Sequence, residues 1–267
     1  MEAGLADYDD VAVTLWALQH PNQNLNPLEY LYMIAGKFYC EPGTCEYYST
    51  SSYILLGLAL AQHQNLTNFL DFDQKSVFPE ELRPEFKNTM FDPMTNCSDI
   101  TTKMTPTYER VSKHMWPGIL VTYSNLRNEE SSCSATGSWV SGNVASTAED
   151  IAKFFYYIGT EKIISHEMRS KLLNIDKGDE PGFYFNYGVG LLLKWYFSED
   201  GYEGRPYNAK NKYQNYFVGH PGMDDGSFSD SSGYNLAYNF SFSLGSNTYP
   251  ALNCNLEGDE FWNNDQF

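Results

Sequence analysis

Residues 42–57 read Pro42-Gly43-Thr44-Cys45-Glu46-Tyr47-Tyr48-Ser49-Thr50-Ser51-Ser52-Tyr53-Ile54-Leu55-Leu56-Gly57. Pro42-Gly43 is a turn signal. Small hydroxyl residues follow it, and then an apolar run with the look of a buried helix. A Tyr48-Ser49-Thr50 step at a junction between loop and helix can hold a phenol rigidly in a cleft. The same residues would also serve as an ordinary buried helix after a Pro-Gly turn.

Two further stretches share the texture of this one. Ser146-Thr147-Ala148-Glu149 forms a capping box. Ile151, Phe154, Phe155 and Ile158 follow it at the i, i+3, i+4, i+7 spacing of a helix with one buried face. Gly219-His220-Pro221-Gly222-Met223 places an imidazole beside a Pro-Gly turn, which reads equally as a satisfied histidine at a strand end.

Taken in order, these stretches resemble the serine β-lactamase-like hydrolases: class C β-lactamases, D-alanyl-D-alanine peptidases and related esterases. Their pattern of Pro-Gly-Thr, Tyr-Ser-Asn and Tyr-x-Leu-Leu-Gly is met at residues 42–57, with Thr50 in place of Asn. Their Gly-Gly-x-x-Ser-Thr-Ala-x-Asp-Leu is met from Gly142 to Ile151, and their Gly-His-Thr-Gly-Gly from Gly219 to Met223, with Pro221 in place of Thr. Tyr187-Gly188-Val189-Gly190 resembles the family's Tyr-Gly-x-Gly strand.

The resemblance implies an α/β (α+β) architecture, an antiparallel sheet flanked by helices with a mostly helical lobe. It implies Tyr48 as general base or acid, His220 as an electrostatic aid, Thr50 as a polar contact to substrate, Gly222 as the point where substrate approaches the backbone, and the Met223 N–H as an oxyanion donor. It implies a small-molecule or peptide acyl substrate and no cofactor. Pro221 removes a hydroxyl and an N–H from the third motif, which puts carboxylate binding there in doubt.

The family's nucleophile lies in Ser-x-x-Lys. These 267 residues contain no such sequence; Ser112-Lys113 and Ser170-Lys171 are adjacent pairs with the wrong geometry. The expectation is a single domain over residues 1–267 that lacks the N-terminal part of the family's fold, with an acidic tail over residues 249–267. A chain of that kind would leave part of its sheet uncovered, with Leu191, Leu193 and Phe217 as candidates for the uncovered face. A non-catalytic peptide- or glycan-binding module on the same fold is the alternative.

Composition narrows the partners. Thirty-four acidic residues against 17 basic ones give a formal charge of −17, a surface that repels nucleic acid and anionic lipid. No apolar run reaches membrane-spanning length; Tyr53 to Ala61 is the longest. Asp224, Asp225 and Asp230 do not follow the EF-hand spacing, and Cys40, Cys45, Cys97, Cys133 and Cys254 match no zinc motif. An odd cysteine count leaves one thiol free or paired outside these residues. The sequons at Asn65, Asn96 and Asn239 point to a secreted or lumenal glycoprotein parent.

The remaining elements read as follows. Asn26-Pro27-Leu28-Glu29 starts a helix whose apolar face is Leu28, Leu31, Tyr32 and Ala35. Residues 62–91 read as a polar helix and then a loop, and 163–175 as a helix. Residues 92–135 are the least regular part. Residues 187–195, 216–218 and 236–244 read as strands.

Overall fold

The computed structural model describes residues 3–8, 12–13, 16, 20, 25–44, 48–91, 107–110, 123–127, 139–142, 144–173, 186–187, 190–195, 216–224, 227–246 and 248–249. The acidic tail from Ala251 on, Cys45, Cys97, Cys133, Cys254 and most of residues 92–135 lie outside them.

Helix α1 (Pro27–Met33) begins as its residues require. The Asn26 side chain accepts from the Leu28 N–H at 2.9 Å, and Pro27 occupies the first turn, where no N–H is needed. Its buried side differs from the expected one. Tyr30 and Ile34 are buried, while Tyr32 is 67% exposed. Tyr30 is drawn inward by the Tyr8 ring, which meets it edge-on at 4.7 Å.

Helix α2 (Thr50–His63) carries the opening stretch. Ser51, Ile54, Gly57 and Ala61 are buried, a stripe at helical spacing. The helix is not buried all round, as the apolar run had implied: Leu55 and Leu56 are exposed. Its inner side joins Leu25, Tyr30, Phe72 and Trp139 in the core of the helical lobe.

The polar segment that follows is not an α-helix. It runs through three 3₁₀ turns, Phe69–Asp71, Gln74–Val77 and Glu80–Phe86. Pro79 and Pro84 interrupt any continuous α-helical ladder there. Strand β1 (Met90–Phe91) pairs antiparallel with strand β4 (Val144–Ala145). Strands β2 (Thr107–Arg110) and β3 (Tyr123–Arg127) come from the stretch read as least regular, and β11 (Thr248–Tyr249) adds to β2 in parallel.

Helix α3 (Ala148–Gly159) starts one residue later than the capping box foresees. Thr147, not Ser146, is the cap, its hydroxyl accepting from the Asp150 N–H at 3.2 Å. Ser146 is engaged elsewhere, its hydroxyl 2.8 Å from that of Thr89. Helix α4 (His166–Leu173) falls inside the helix expected over 163–175.

The main sheet has six strands among the described residues, all antiparallel. They are β5 (Asn186–Tyr187), β6 (Leu192–Trp195), β7 (Tyr216–Gly219), β8 (Gly222–Asp224), β9 (Ser227–Asn235) and β10 (Phe240–Ser246). The order is β10-β9-β7-β6-β5, with β8 also on β9. The single strand expected over 187–195 is two strands that pair with each other, Asn186 with Leu193 and Tyr187 with Leu192. Gly190, at φ +84°, stands just before the second strand, in a conformation that favours glycine. The run from Leu236 to Leu244 is likewise divided. Residues 236–239 form the turn between β9 and β10, and Asn239 takes φ +53°, which Asn tolerates better than most residues.

Helix α3 packs on β9 and β10. Phe155 and Ile158 meet Leu191, Val218 and Tyr234 there, with Phe154 partly buried beside them. Leu191 and Phe217 are therefore buried, not uncovered. The reason is physical: α3 closes over Leu191, and Phe242 sets its ring against Phe217 at 4.9 Å. The Leu193 side chain lies outside the described residues. Among the described residues no helix is long and apolar enough to cross a membrane.

Candidate active site

Tyr48 sits one residue before the cap of α2. That cap is Ser49, which is buried. Its hydroxyl accepts from the Ser52 N–H at 3.3 Å and donates to the Ala6 carbonyl at 3.2 Å. Two residues on, the Ser51 N–H and hydroxyl donate to Asp7 Oδ1 at 3.1 and 3.2 Å, and the Tyr8 N–H reaches the same oxygen at 3.0 Å. A carboxylate at a helix N-terminus also meets the positive end of the helix dipole. The backbone on which Tyr48 stands is thus fastened to residues 6–8, while its ring remains 46% exposed. The Thr50 hydroxyl donates to the Tyr48 phenolic oxygen at 3.3 Å.

His220 comes from the sheet. Strand β7 pairs with β9 as far as Gly219 with Gly233, and β8 resumes on β9 at Gly222 with Ser229. His220 and Pro221 fall between these two paired segments. Pro has no N–H to give a ladder and belongs at such a break. His220 is half-buried, and its Nδ1 lies 2.5 Å from the Pro221 carbonyl oxygen.

The structure brings these two elements together. The rings of Tyr48 and His220 have centroids 6.2 Å apart at an interplanar angle of 36°. Thr50 joins them through its bond to Tyr48. Gly222 is exposed two residues beyond His220, at the start of β8, and Met223 follows it in that strand. A phenol that accepts a hydrogen bond from a hydroxyl and stands beside an imidazole is a set of groups able to accept, hold and return a proton. No group of three or more His, Cys, Asp or Glu that could hold a metal ion occurs among the described residues.

Three supporting residues escaped the sequence reading. Ser49 was legible, since Ser three residues before Ser52 at a helix start is a capping signal. Asp7 was not, because its partner Ser51 is distant in sequence. Tyr53 was not either: its hydroxyl lies 3.4 Å from where a Cβ on Gly190 would stand, linking α2 to the turn before β6.

The fold so defined is that of the β-lactamase and transpeptidase type, a mixed helix and antiparallel-sheet architecture. Among solved structures, the chain is similar to the D-amino acid amidase from Ochrobactrum anthropi SV3 complexed with D-phenylalanine. Identity is 19% and the TM-score 0.66, over 92% of this chain and 62% of that one. It is similar to a D-stereospecific amidohydrolase from Streptomyces sp., with 16% identity and a TM-score of 0.63 over 91% of this chain and 64% of that one. It is also similar to a penicillin binding protein from Bacillus halodurans, with 20% identity and a TM-score of 0.63 over 92% of this chain and 65% of that one. The chain spans less than two thirds of the length of each. No protein-family model and no curated protein matches it.

Proposed function

We propose that this chain carries the tyrosine and histidine side of a serine acyl-transfer site that hydrolyses an amide or ester through an acyl-enzyme. The observation that carries the reading is the Tyr48–His220 pair, two rings from different lobes with centroids 6.2 Å apart. In this reading Tyr48 takes the proton of the nucleophile and returns it to the leaving group. Thr50 orients the phenol through its hydroxyl and offers a polar contact to substrate. His220 stabilises charge beside Tyr48, and Gly222 admits the substrate to the edge of β8. The nucleophile is a Ser-x-x-Lys serine outside these 267 residues.

The strand register supports Met223 as an oxyanion donor. Gly222 pairs with Ser229, Met223 with Phe228 and Asp224 with Ser227, leaving two residues between the strands. Antiparallel pairs alternate between hydrogen-bonded and non-hydrogen-bonded. With the pair flanking a two-residue connection hydrogen-bonded, Met223 falls at a non-bonded pair. Its N–H then faces away from β9, where a carbonyl oxygen that gains charge can reach it.

The amidase and amidohydrolase neighbours favour an amino-acid amide as substrate. A secretory glycoprotein setting is part of the same proposal. Cys40 is disulfide-bonded, which suits an oxidising compartment. Asn65 of the first sequon is exposed on a turn at φ +58°.

The test is to express the product of the longest in-frame transcript and incubate it with an activated ester and with an aromatic amino-acid amide. The expected result is a stoichiometric acyl adduct on the serine of a Ser-x-x-Lys. Turnover should fall by roughly 10²-fold or more in Tyr48→Phe, the scale of general acid–base catalysis. A product with no such serine, or turnover indifferent to Tyr48→Phe, would overturn the reading and leave the binding module.

A further inference from the structure

We infer that neutral His220 is held as its Nδ1–H tautomer by the Pro221 carbonyl, so that Nε2 is the proton-accepting nitrogen at this site and Pro221 is a positioning residue. The argument begins with the contact itself. Nδ1 stands 2.5 Å from the Pro221 carbonyl oxygen. A carbonyl oxygen has lone pairs and no proton, so in any hydrogen bond between the two atoms Nδ1 is the donor. A neutral imidazole carries one N–H, and which nitrogen bears it is set by the bond the other atoms impose. With the proton on Nδ1, the lone pair is on Nε2. This reverses the Nε2–H form that a histidine side chain favours in water.

Proline explains why the carbonyl is there to accept. Its ring fixes φ near −65° and confines the residue before it to extended conformations, so the Pro221 carbonyl carbon is held in one place relative to the His220 backbone. Both residues lie between the two strands: β7 reaches Gly219 and β8 resumes at Gly222, both on β9. The carbonyl thus lies in the interruption that proline creates, next to the imidazole it orients.

The consequence for chemistry rests on the acyl-transfer reading; the tautomer does not. The Tyr48 oxygen accepts from the Thr50 hydroxyl at 3.3 Å, and its ring neighbours that of His220. A proton passing from the Tyr48 hydroxyl to Nε2 leaves a phenolate and an imidazolium. The imidazolium keeps its Nδ1–H on Pro221 and carries the new proton on Nε2. His220 then serves Tyr48 as a proton acceptor as well as a charge, a role that a lysine ammonium at the same place could not take.

The experiment reads the tautomer directly on the 267-residue chain, labelled with ¹⁵N in histidine. Long-range ¹H–¹⁵N correlation is recorded at a pH where the imidazole is neutral, and His220 is identified by the signal lost in His220→Gln. Should that variant not fold, the four other histidines are replaced one at a time, and His220 is the signal that survives all four. The expected pattern is a protonated Nδ1 and an unprotonated Nε2. In Pro221→Gly the pattern should move toward a mixture of both forms, with the far-ultraviolet circular dichroism unchanged.

An Nε2–H pattern in the native chain overturns the inference and leaves the acyl-transfer reading intact. A pure Nδ1–H pattern that persists in Pro221→Gly overturns the part assigned to Pro221. An Nδ1–H pattern in a protein that forms no acyl adduct upholds the inference and overturns the acyl-transfer reading.

Discussion

Gly219 approaches Ser232 so closely that a Cβ on it would stand 1.9 Å from the Ser232 carbonyl oxygen. That oxygen belongs to backbone in the middle of β9, where no side-chain rotation can make room. The contact fixes how near β7 lies to β9 at the residue immediately before His220.

Gly219→Ala is therefore expected to force the two strands apart and turn His220 away from Tyr48. The cost should be about 1–3 kcal/mol, the range for overpacking a filled core. Denaturant unfolding gives the loss, and the His220 ring signals in the spectrum described above give the displacement. An alanine variant with native stability and unchanged His220 signals would contradict the close approach.

The Asp150 carboxylate is buried and accepts from the Asn88 N–H at 3.0 Å and the Thr89 hydroxyl at 2.9 Å. Asp150→Ala takes this acceptor from the Asn88 N–H and leaves the Thr89 hydroxyl with that of Ser146, which should cost about 1–3 kcal/mol. Asp150→Asn keeps an acceptor and should lose less. The comparison of urea midpoints checks this; equal losses would show that the hydrogen bonds are not the cause.

Tyr157 gives the chain an alkaline sensitivity. Its hydroxyl donates to the Glu85 carboxylate, and this bond, burial and the Glu85 charge together push its pKa from 10.0 up to about 12. The folded chain therefore holds this proton more tightly than the unfolded one. The associated stability is fully present below pH 10 and is lost as pH rises from 10 toward 12. Tyr157→Phe should flatten the fall in melting temperature over that interval. An unchanged alkaline slope would count against the Glu85–Tyr157 pair.

Ser49→Ala removes the cap of α2 and the bond to Ala6. Loss of a serine cap costs about 1 kcal/mol. Because Tyr48 adjoins Ser49, the same change should weaken the ring contact with His220. A loss of stability with no movement of the His220 signals would confine Ser49 to a structural role.

Local patterns in the sequence were enough to place α1, α2 and α3, though not the segment after α2, which reads as a polar helix and folds as 3₁₀ turns. Asn26-Pro27 starts α1, and the residues from Ser146 to Ile158 announce α3 to within two residues, because caps and apolar spacing act over a single turn. The three motifs around Tyr48, Ser146 and His220 pointed to the fold for the same reason: each is a short unit whose residues serve their own turn, helix start or strand end. The divisions of the strands were harder to see. Tyr187 to Trp195 reads as one run, and only pairing between its two halves, with Gly190 in a left-handed conformation, makes it two strands.

Burial and proximity were decided by the tertiary structure alone. Tyr32 and Leu56 have the composition of core residues and are exposed, because burial depends on which neighbour arrives and not on the side chain's own preference. Leu191 and Phe217 are buried because α3 and Phe242 reach them from distant parts of the chain. The pairing of Tyr48 with His220 is of this kind. Each residue is set by its own local geometry, a capped helix start in one case and a proline-broken strand in the other. Their separation depends on how the helical lobe packs against the sheet, which no local pattern encodes.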